Sequence, residues 1–151
     1  MGQQQLLLVI LVTIIVGIAT VVAINTFSSA ANSANVDAAR QDALSIAAAA
    51  QQFYMKPTAL GGGGQDFTAG DGIDFTDISG VPVDVGSANT IALNQNGTYE
   101  ISATTTVNFT LDVYPSSCYE GSGEKTSCDD ADSDITKLTA TIEADNISWT
   151  N

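Results

Sequence analysis

Residues 6–24 read LLLVILVTIIVGIATVVAI, and this stretch decides how the chain is organised. Only Thr13, Gly17 and Thr20 interrupt its large apolar residues and alanines. A helix of this length rises about 28 Å, which matches the hydrocarbon core of a bilayer. Because the stretch is apolar on every face, it predicts a helix that lies in lipid or among similar helices rather than against one soluble core.

The residues around this stretch carry no charge before Asp37. A secretory signal has basic residues ahead of a shorter apolar run and a small-residue cleavage site behind it. Here no lysine or arginine precedes the run, and the helical pattern continues beyond it. We therefore expect the segment to remain part of the mature protein.

The helix is predicted to continue from this stretch to about Met55, because residues 28–56 are rich in alanine and contain no proline. Pro57 and the glycine run 61–64 end it. Polar residues mostly fall away from one face, which is formed by Val36, Ala39, Ala43, Ile46, Ala50 and Phe53. We expect a continuous helix, with Gly17 as its only weak point, whose small-residue face packs closely against the rest of the chain.

Residues 57–151, here called the head, have the composition of a β-rich domain, with Thr, Ser, Asp, Gly and Asn replacing alanine. Strand-like runs occur at 72–78, 90–94, 98–102, 105–114, 135–143 and 146–150. The Asn96-Gly97 pair between two of these runs is a hairpin signal.

The sequence as a whole predicts an α+β fold in three parts. Residues 1–27 form the hydrophobic half of the helix, which lies in a membrane or a filament core. Residues 28–56 form its amphipathic second half. Residues 57–151 form an antiparallel sheet packed on that second half.

Cys118 and Cys128 are predicted to form a structural disulfide in the head. A head carried across a membrane lies where disulfides persist, and closing so short a loop would stabilise it by up to about 3 kcal/mol. A redox or metal-binding pair is the alternative, but the spacing is not C-x-x-C and the chain has no histidine to complete a metal site.

The charges exclude several classes of function. The chain has 17 acidic residues, 4 basic residues and no histidine, for a net charge of −13. Histidine-dependent catalytic triads and most zinc sites are therefore excluded. Four basic residues cannot form the patch that nucleic-acid binding needs. We expect neither an enzyme nor a nucleic-acid-binding protein.

Two acidic groups are weak calcium candidates, and a solvated loop is the alternative for both. The first consists of Asp130, Asp132 and Asp134. Its carboxylates stand at alternate positions, as in a calcium-binding loop, but the glycine and the glutamate of an EF-hand are missing. The second lies in a glycine-rich stretch and consists of Asp66, Asp71, Asp74 and Asp77. No other cofactor is predicted.

Three N-x-S/T sequons are candidate glycosylation sites, and they begin at Asn96, Asn108 and Asn146. Asn96 is the best placed of the three on sequence grounds, because it falls in the predicted hairpin turn.

An uncharged helix of membrane-spanning length, its amphipathic continuation and a β-rich head with a disulfide near the C-terminus resemble the type IV pilins and their superfamily, which includes pseudopilins and archaeal pilins. The resemblance covers the whole chain as an architecture and, at residue level, the N-terminal helix. Pilins are processed at a glycine and often methylated on the new N-terminus, and Gly2 is the candidate here. Three glutamines, Gln3, Gln4 and Gln5, stand where the family carries a glutamate, and the proline usual in the bacterial helix is absent.

The resemblance implies a structural subunit of an extracellular filament, a helical homo-oligomer that is inserted in the cytoplasmic membrane before the pilus assembly machinery extracts it. The residues expected to form the filament core are Gln3, Gln4, Gln5, Leu6, Leu7, Leu8, Ile10, Ile14, Gly17 and Val21. Two alternatives remain open: a minor pilin or pseudopilin of a secretion system, and a single-pass membrane-anchored surface protein.

Overall fold

The computed structural model describes residues 2–78, 80–81, 83–118, 123, 128 and 136–150. A long helix, α1 (Gly2–Met55), comes first and is followed by strands β1 (Asp84–Val85), β2 (Ile91–Leu93), β3 (Gly97–Ser102), β4 (Asn108–Pro115), β5 (Leu138–Glu143) and β6 (Ile147–Thr150). Short 3-10 turns occupy Thr58–Leu60 and Ser116–Cys118. The predicted α+β organisation, a long N-terminal helix followed by an antiparallel sheet, is confirmed.

The chain divides into two compact units, Met1–Ala34 and Asn35–Asn151. Helix α1 begins in the first unit and ends in the second. It continues without interruption through Gly17, as expected from the absence of proline before Pro57.

The sheet in the second unit is a meander. Its described strands lie in the order β1-β2-β3-β4-β5-β6, and each pairs antiparallel with the next. Since side chains alternate along a strand, the register places one set of residues together on the inner face. The members of this set in the three central strands are Tyr99, Ile101, Phe109, Leu111, Val113, Leu138, Ala140 and Ile142.

The second half of α1 packs on this inner face. Its buried residues belong to the same hydrophobic cluster as the inner residues of the sheet, and they are Ala39, Ala43, Ile46, Ala47, Ala50 and Phe53. The predicted face is thus buried as expected, with Ala47 added and Val36 only partly buried. Four of the six are alanines, whose short side chains allow the helix to approach the sheet closely.

The expected strand at 72–78 is wrong, because residues 75–77 form a turn and the rest of the segment has no regular secondary structure. Its apolar residues Ile73, Phe75 and Ile78 are buried in the core all the same. The carboxylate of Asp74 accepts hydrogen bonds from the backbone N–H groups of Thr76 (2.7 Å) and Asp77 (3.3 Å). Such local bonds from an aspartate compete with a strand ladder and favour a turn. The other five predicted strands are present with shifted ends.

The glycine run after Pro57 closes the end of α1. The backbone N–H groups of Gly63 and Gly64 donate to the carbonyls of Phe53 (2.8 Å) and Lys56 (2.9 Å). A Cβ at Gly62 would overlap the Lys56 carbonyl, so the chain can turn back this closely only without a side chain there. The run therefore ends the helix by satisfying its last carbonyls as well as by lacking helix propensity.

The hairpin signalled by Asn96-Gly97 is present, with a loop at 94–96 between β2 and β3. Gly97 itself is the first residue of β3 and lies opposite Pro115 of β4. A Cβ at Gly97 would overlap the carbonyl of Tyr114. The glycine is therefore required by the close approach of β4 rather than by the turn.

We expect Gly97→Ala to lower the free energy of unfolding of the second unit by about 2 kcal/mol, because the added methyl group forces β3 and β4 apart. The control is Gly17→Ala, where a Cβ has nothing within 4 Å. Thermal unfolding of the full chain in detergent, followed by near-UV circular dichroism, measures both. Equal melting temperatures for Gly97→Ala and the unaltered chain would show that the strands accommodate the methyl group.

Candidate functional site: the exposed apolar helix

The first unit exposes nearly all of its apolar surface. The fourteen leucine, isoleucine and valine side chains from Leu6 to Ile24 are between 48% and 70% exposed. No residue from 2 to 31 is even partly buried by the described part of the chain. By length and composition α1 could cross a membrane, and it is compatible with membrane insertion.

The free energy at stake is large. Burying an aliphatic side chain of this size is worth about 1.5–3 kcal/mol, so fourteen of them represent on the order of 20 kcal/mol or more. A whole domain is stable by only about 5–15 kcal/mol. The free energy gained by covering this helix is therefore larger than the stability of an ordinary domain, and it drives the helix into lipid or against other protein.

The residues expected to form the filament core divide between faces of α1. At 3.6 residues per turn, the spacings of three and four place one row of them on a single face: Gln3, Leu7, Ile10, Ile14, Gly17 and Val21. Leu6 lies beside this row, whereas Gln4, Gln5 and Leu8 lie on other faces. We call this row the Gly17 row, because Gly17, the fifth of its six residues, is the one that has no side chain.

Polar groups within the apolar stretch are satisfied by the helix itself. The hydroxyl of Thr13 donates to the carbonyl of Ile10 (2.8 Å), and that of Thr20 donates to the carbonyl of Val16 (2.7 Å). These bonds remove the cost of placing two hydroxyls in an apolar surrounding. Gly17 lies between them, and a Cβ there would meet nothing within 4 Å.

The beginning of the helix carries the glutamines. Gly2 is the first residue of α1, and Gln3, Gln4 and Gln5 follow it with exposed side chains. Amide side chains both donate and accept hydrogen bonds without bringing a charge into an apolar surrounding. They are therefore suited to contacts between helix ends, although within the described residues no side chain binds them.

A polar cluster in the second unit, which no sequence pattern indicates, joins α1 to the hairpin. Asp42 Oδ2 accepts hydrogen bonds from Asn94 Nδ2 (2.7 Å), Asn96 Nδ2 (2.7 Å) and the Tyr99 hydroxyl (3.0 Å). We call these four residues the Asp42 cluster. A carboxylate that accepts from several donors makes stronger bonds than a neutral group would, so the cluster fixes the hairpin on the helix.

Two further side chains of α1 hold the sheet. Asn35 Nδ2 donates to Ser116 Oγ (2.9 Å), and Asn35 Oδ1 accepts from the Ser117 N–H (3.1 Å). Gln51 Nε2 donates to the carbonyl of Glu143 (2.9 Å). Asn35 lies seven residues before Asp42, which is two turns away on the same side of the helix. This spacing is the sequence pattern that could have indicated that both polar side chains face the sheet.

The predicted disulfide is present between Cys118 and Cys128. Cys118 is fully buried and packs with Tyr114 and Cys128 in a small cluster separate from the main core. The bond thus secures the segment that follows β4.

Tyr114 is the residue with the largest pKa change in the described head. Burial raises the pKa of Tyr114 to about 12, and the nearby carboxylates of Glu100 and Asp112 add to the shift. Its hydroxyl donates to Glu100 Oε2 at 3.3 Å. Because the folded pKa lies above the ordinary value of 10, the protonated phenol stabilises the fold, fully below pH 10 and less as the pH rises through 12.

We expect an absorbance titration of the full chain, which has four tyrosines, to show one phase near pH 12 that is missing in Tyr114→Phe. Melting temperatures measured between pH 10 and 12 should fall more steeply in the unaltered chain than in the variant. A titration in which every tyrosine ionises near pH 10 below the unfolding transition would contradict the burial of this phenol.

Of the two acidic groups in the head, the one at residues 66–77 lies in the described part of the chain, and its carboxylates stabilise turns. Asp74, Asp71 and Asp77 line an open cleft of about 540 Å³. Asp74 binds backbone N–H groups of its own turn, and Asp66 accepts from the N–H and hydroxyl of Thr68. Burial raises the pKa of the Asp77 carboxyl above its ordinary value.

Within the described residues no three acidic or sulfur side chains are arranged to hold a metal. The other calcium candidates, Asp130, Asp132 and Asp134, lie outside the described residues.

The three sequons occupy different surroundings. Asn96 is half-buried within the Asp42 cluster. It is therefore not the best placed of the three for glycosylation, in contrast to the expectation from the sequence. Asn108 is half-buried at the start of β4, and Asn146 is exposed in the turn between β5 and β6.

Comparison with protein families, with curated proteins and with solved structures finds no match to this chain in any of the three.

Proposed function

We propose that the chain is the structural subunit of an extracellular filament like the type IV pili, and that it polymerises through residues 2–34 of α1. Before assembly the same segment lies in the cytoplasmic membrane, from which assembly machinery draws it. The pilin-like arrangement of a long helix whose second half carries a β-sheet supports this proposal, as does the resemblance of the sequence.

One observation carries the proposal: the helix exposes fourteen large apolar side chains and no charge over its first 34 residues. Lipid is about as apolar as leucine, so a transfer from the membrane to a bundle of identical helices costs little hydrophobic free energy. Transfer of the same helix from lipid into water costs on the order of 20 kcal/mol. Such a helix can leave the membrane only when copies of itself replace the lipid.

The head is suited to the outer surface of such an assembly. Most of the chain's net charge of −13 lies in residues 57–151. Like charges keep exposed surfaces soluble and prevent them from associating further, and salt weakens this repulsion. The disulfide between Cys118 and Cys128 also fits an extracellular position.

Shearing of the cells that make the protein tests the proposal. We expect uniform fibres in the cleared supernatant by electron microscopy, with this chain as their main component by mass spectrometry. Recovery of the chain only from the detergent-soluble membrane fraction would contradict the proposal and favour a membrane-anchored surface protein. Its presence at trace level in fibres of another subunit would favour a minor pilin or pseudopilin.

A further inference from the structure

We propose that Asn146 is the acceptor of an N-linked glycan and that Asn96, in spite of its sequon, is a structural residue that carries none. The inference goes beyond the proposed function. It requires only that the head cross a membrane to a compartment that contains glycosyl-transfer enzymes, and it does not require polymerisation.

Asn146 is open to an enzyme. It lies in the turn between β5 and β6, where its backbone carbonyl accepts from the N–H of Glu143 (2.9 Å). Its side chain is exposed and makes no hydrogen bond to the described residues. The hydroxyl residue of the sequon, Ser148, is exposed on β6, the last strand in the order of the sheet. The acceptor asparagine and the hydroxyl residue of the sequon can therefore both be reached from solvent.

Asn96 is already in use. Its Nδ2, the atom that a glycan would modify, donates to Asp42 Oδ2 at 2.7 Å. Its backbone carbonyl accepts from Asn35 Nδ2 (3.1 Å) and from the N–H of Ser116 (2.8 Å). A sugar on this nitrogen would have to fit between α1 and the hairpin, where the residue is half-buried. A sugar attached before folding would occupy the same space and so oppose the packing of the hairpin on α1.

Asn108 is a poorer acceptor than Asn146. It begins β4, an interior strand, and pairs with Glu143 of β5. Its Oδ1 accepts from the hydroxyl of Thr105 at 2.9 Å. The hydroxyl residue of its sequon, Thr110, lies between Ser102 and Thr141 on the neighbouring strands and is half-buried. The sequon is therefore enclosed by the sheet.

The chemistry requires an oligosaccharide donor linked to a polyprenyl phosphate or diphosphate. Asn146 Nδ2 attacks the anomeric carbon of the first sugar, and a carbon–nitrogen bond forms as the bond from that carbon to the phosphate oxygen breaks. One Nδ2 proton passes to a base of the transferase, and the lipid phosphate or diphosphate leaves. The step involves no oxidation or reduction.

Mass spectrometry of the full chain recovered from the surface of its own cells tests the inference. We expect a sugar mass increment on the peptide that contains Asn146 and none on the peptide that contains Asn96. Ser148→Ala should abolish the increment although Asn146 remains, and Ser148→Thr should retain it, because the sequon needs a hydroxyl at that position. Asn108→Gln should leave the increment unchanged.

Two results would overturn the inference: an Asn146 peptide that carries no sugar, or a sugar on Asn96 in the folded protein. Electron microscopy of the same preparation keeps this outcome separate from that of the proposed function. Fibres of unmodified chain would contradict the glycosylation of Asn146 but support the proposed filament. Glycosylated chain confined to the membrane would reject the filament and leave the glycan in place.

Discussion

Replacement of Gly17 by leucine is expected to lower the yield of filaments at least about tenfold while the chain still inserts into the membrane. Gly17 is the fifth of the six residues in the Gly17 row, and a Cβ there would meet nothing within 4 Å in the isolated chain. Leucine favours both helix and lipid, so neither folding nor membrane insertion should suffer. Between closely packed copies, however, the added side chain would overpack the contact at a cost of about 1–3 kcal/mol per subunit.

The yield of sheared filaments, relative to the pool of chain in the membrane, measures this effect. We expect a loss of at least about tenfold, which corresponds to 1.4 kcal/mol, and a smaller loss in Gly17→Ala. Ile18→Leu is the matched control, because it changes the neighbouring residue without changing its volume. Normal fibres from Gly17→Leu would show that helices do not approach one another closely at this point.

The helix could be predicted in detail because the information that determines it is local. An uncharged apolar run followed by alanines at spacings of three and four specifies both halves of α1, including which face the sheet buries. The disulfide followed from the presence of just two cysteines in a head expected outside the membrane. In these regions, propensity, periodicity and burial all favour the same structure.

The rest depends on hydrogen bonds and close backbone approaches that the pattern of apolar residues does not show. At 72–78 the apolar alternation of a strand is present, but the bonds of Asp74 to its own turn prevail. Asn96 has the sequence of an exposed turn, but a carboxylate 54 residues earlier binds its side chain. Gly97 is needed because β4 approaches it closely, and not because of the hairpin turn that the Asn-Gly sequence predicts. Each of these departures involves a polar or glycine residue whose partner only the folded chain supplies.

Asp42→Ala is expected to destabilise the second unit strongly. It removes the oxygen that accepts from Asn94, Asn96 and Tyr99 and leaves three donors without their acceptor. Hydrogen bonds to a charged group contribute about 1.5–3 kcal/mol each, but water can reach this half-buried site and replace part of the loss. We therefore expect the free energy of unfolding to fall by about 3 kcal/mol and the melting temperature by roughly 10 °C.

Asp37→Ala is the matched control, because it removes a carboxylate from the same helix and changes the net charge equally. The Asp37 side chain is 78% exposed, and its one ion pair, to Arg40, is long at 3.9 Å. Exposed pairs of this kind are worth about 0–1 kcal/mol, so this variant should melt close to the unaltered chain. Near-UV circular dichroism of the full chain in detergent compares the two. Equal melting temperatures for the two variants would mean that the alanine-lined core alone holds the hairpin on α1, and that the Asp42 cluster adds nothing to it.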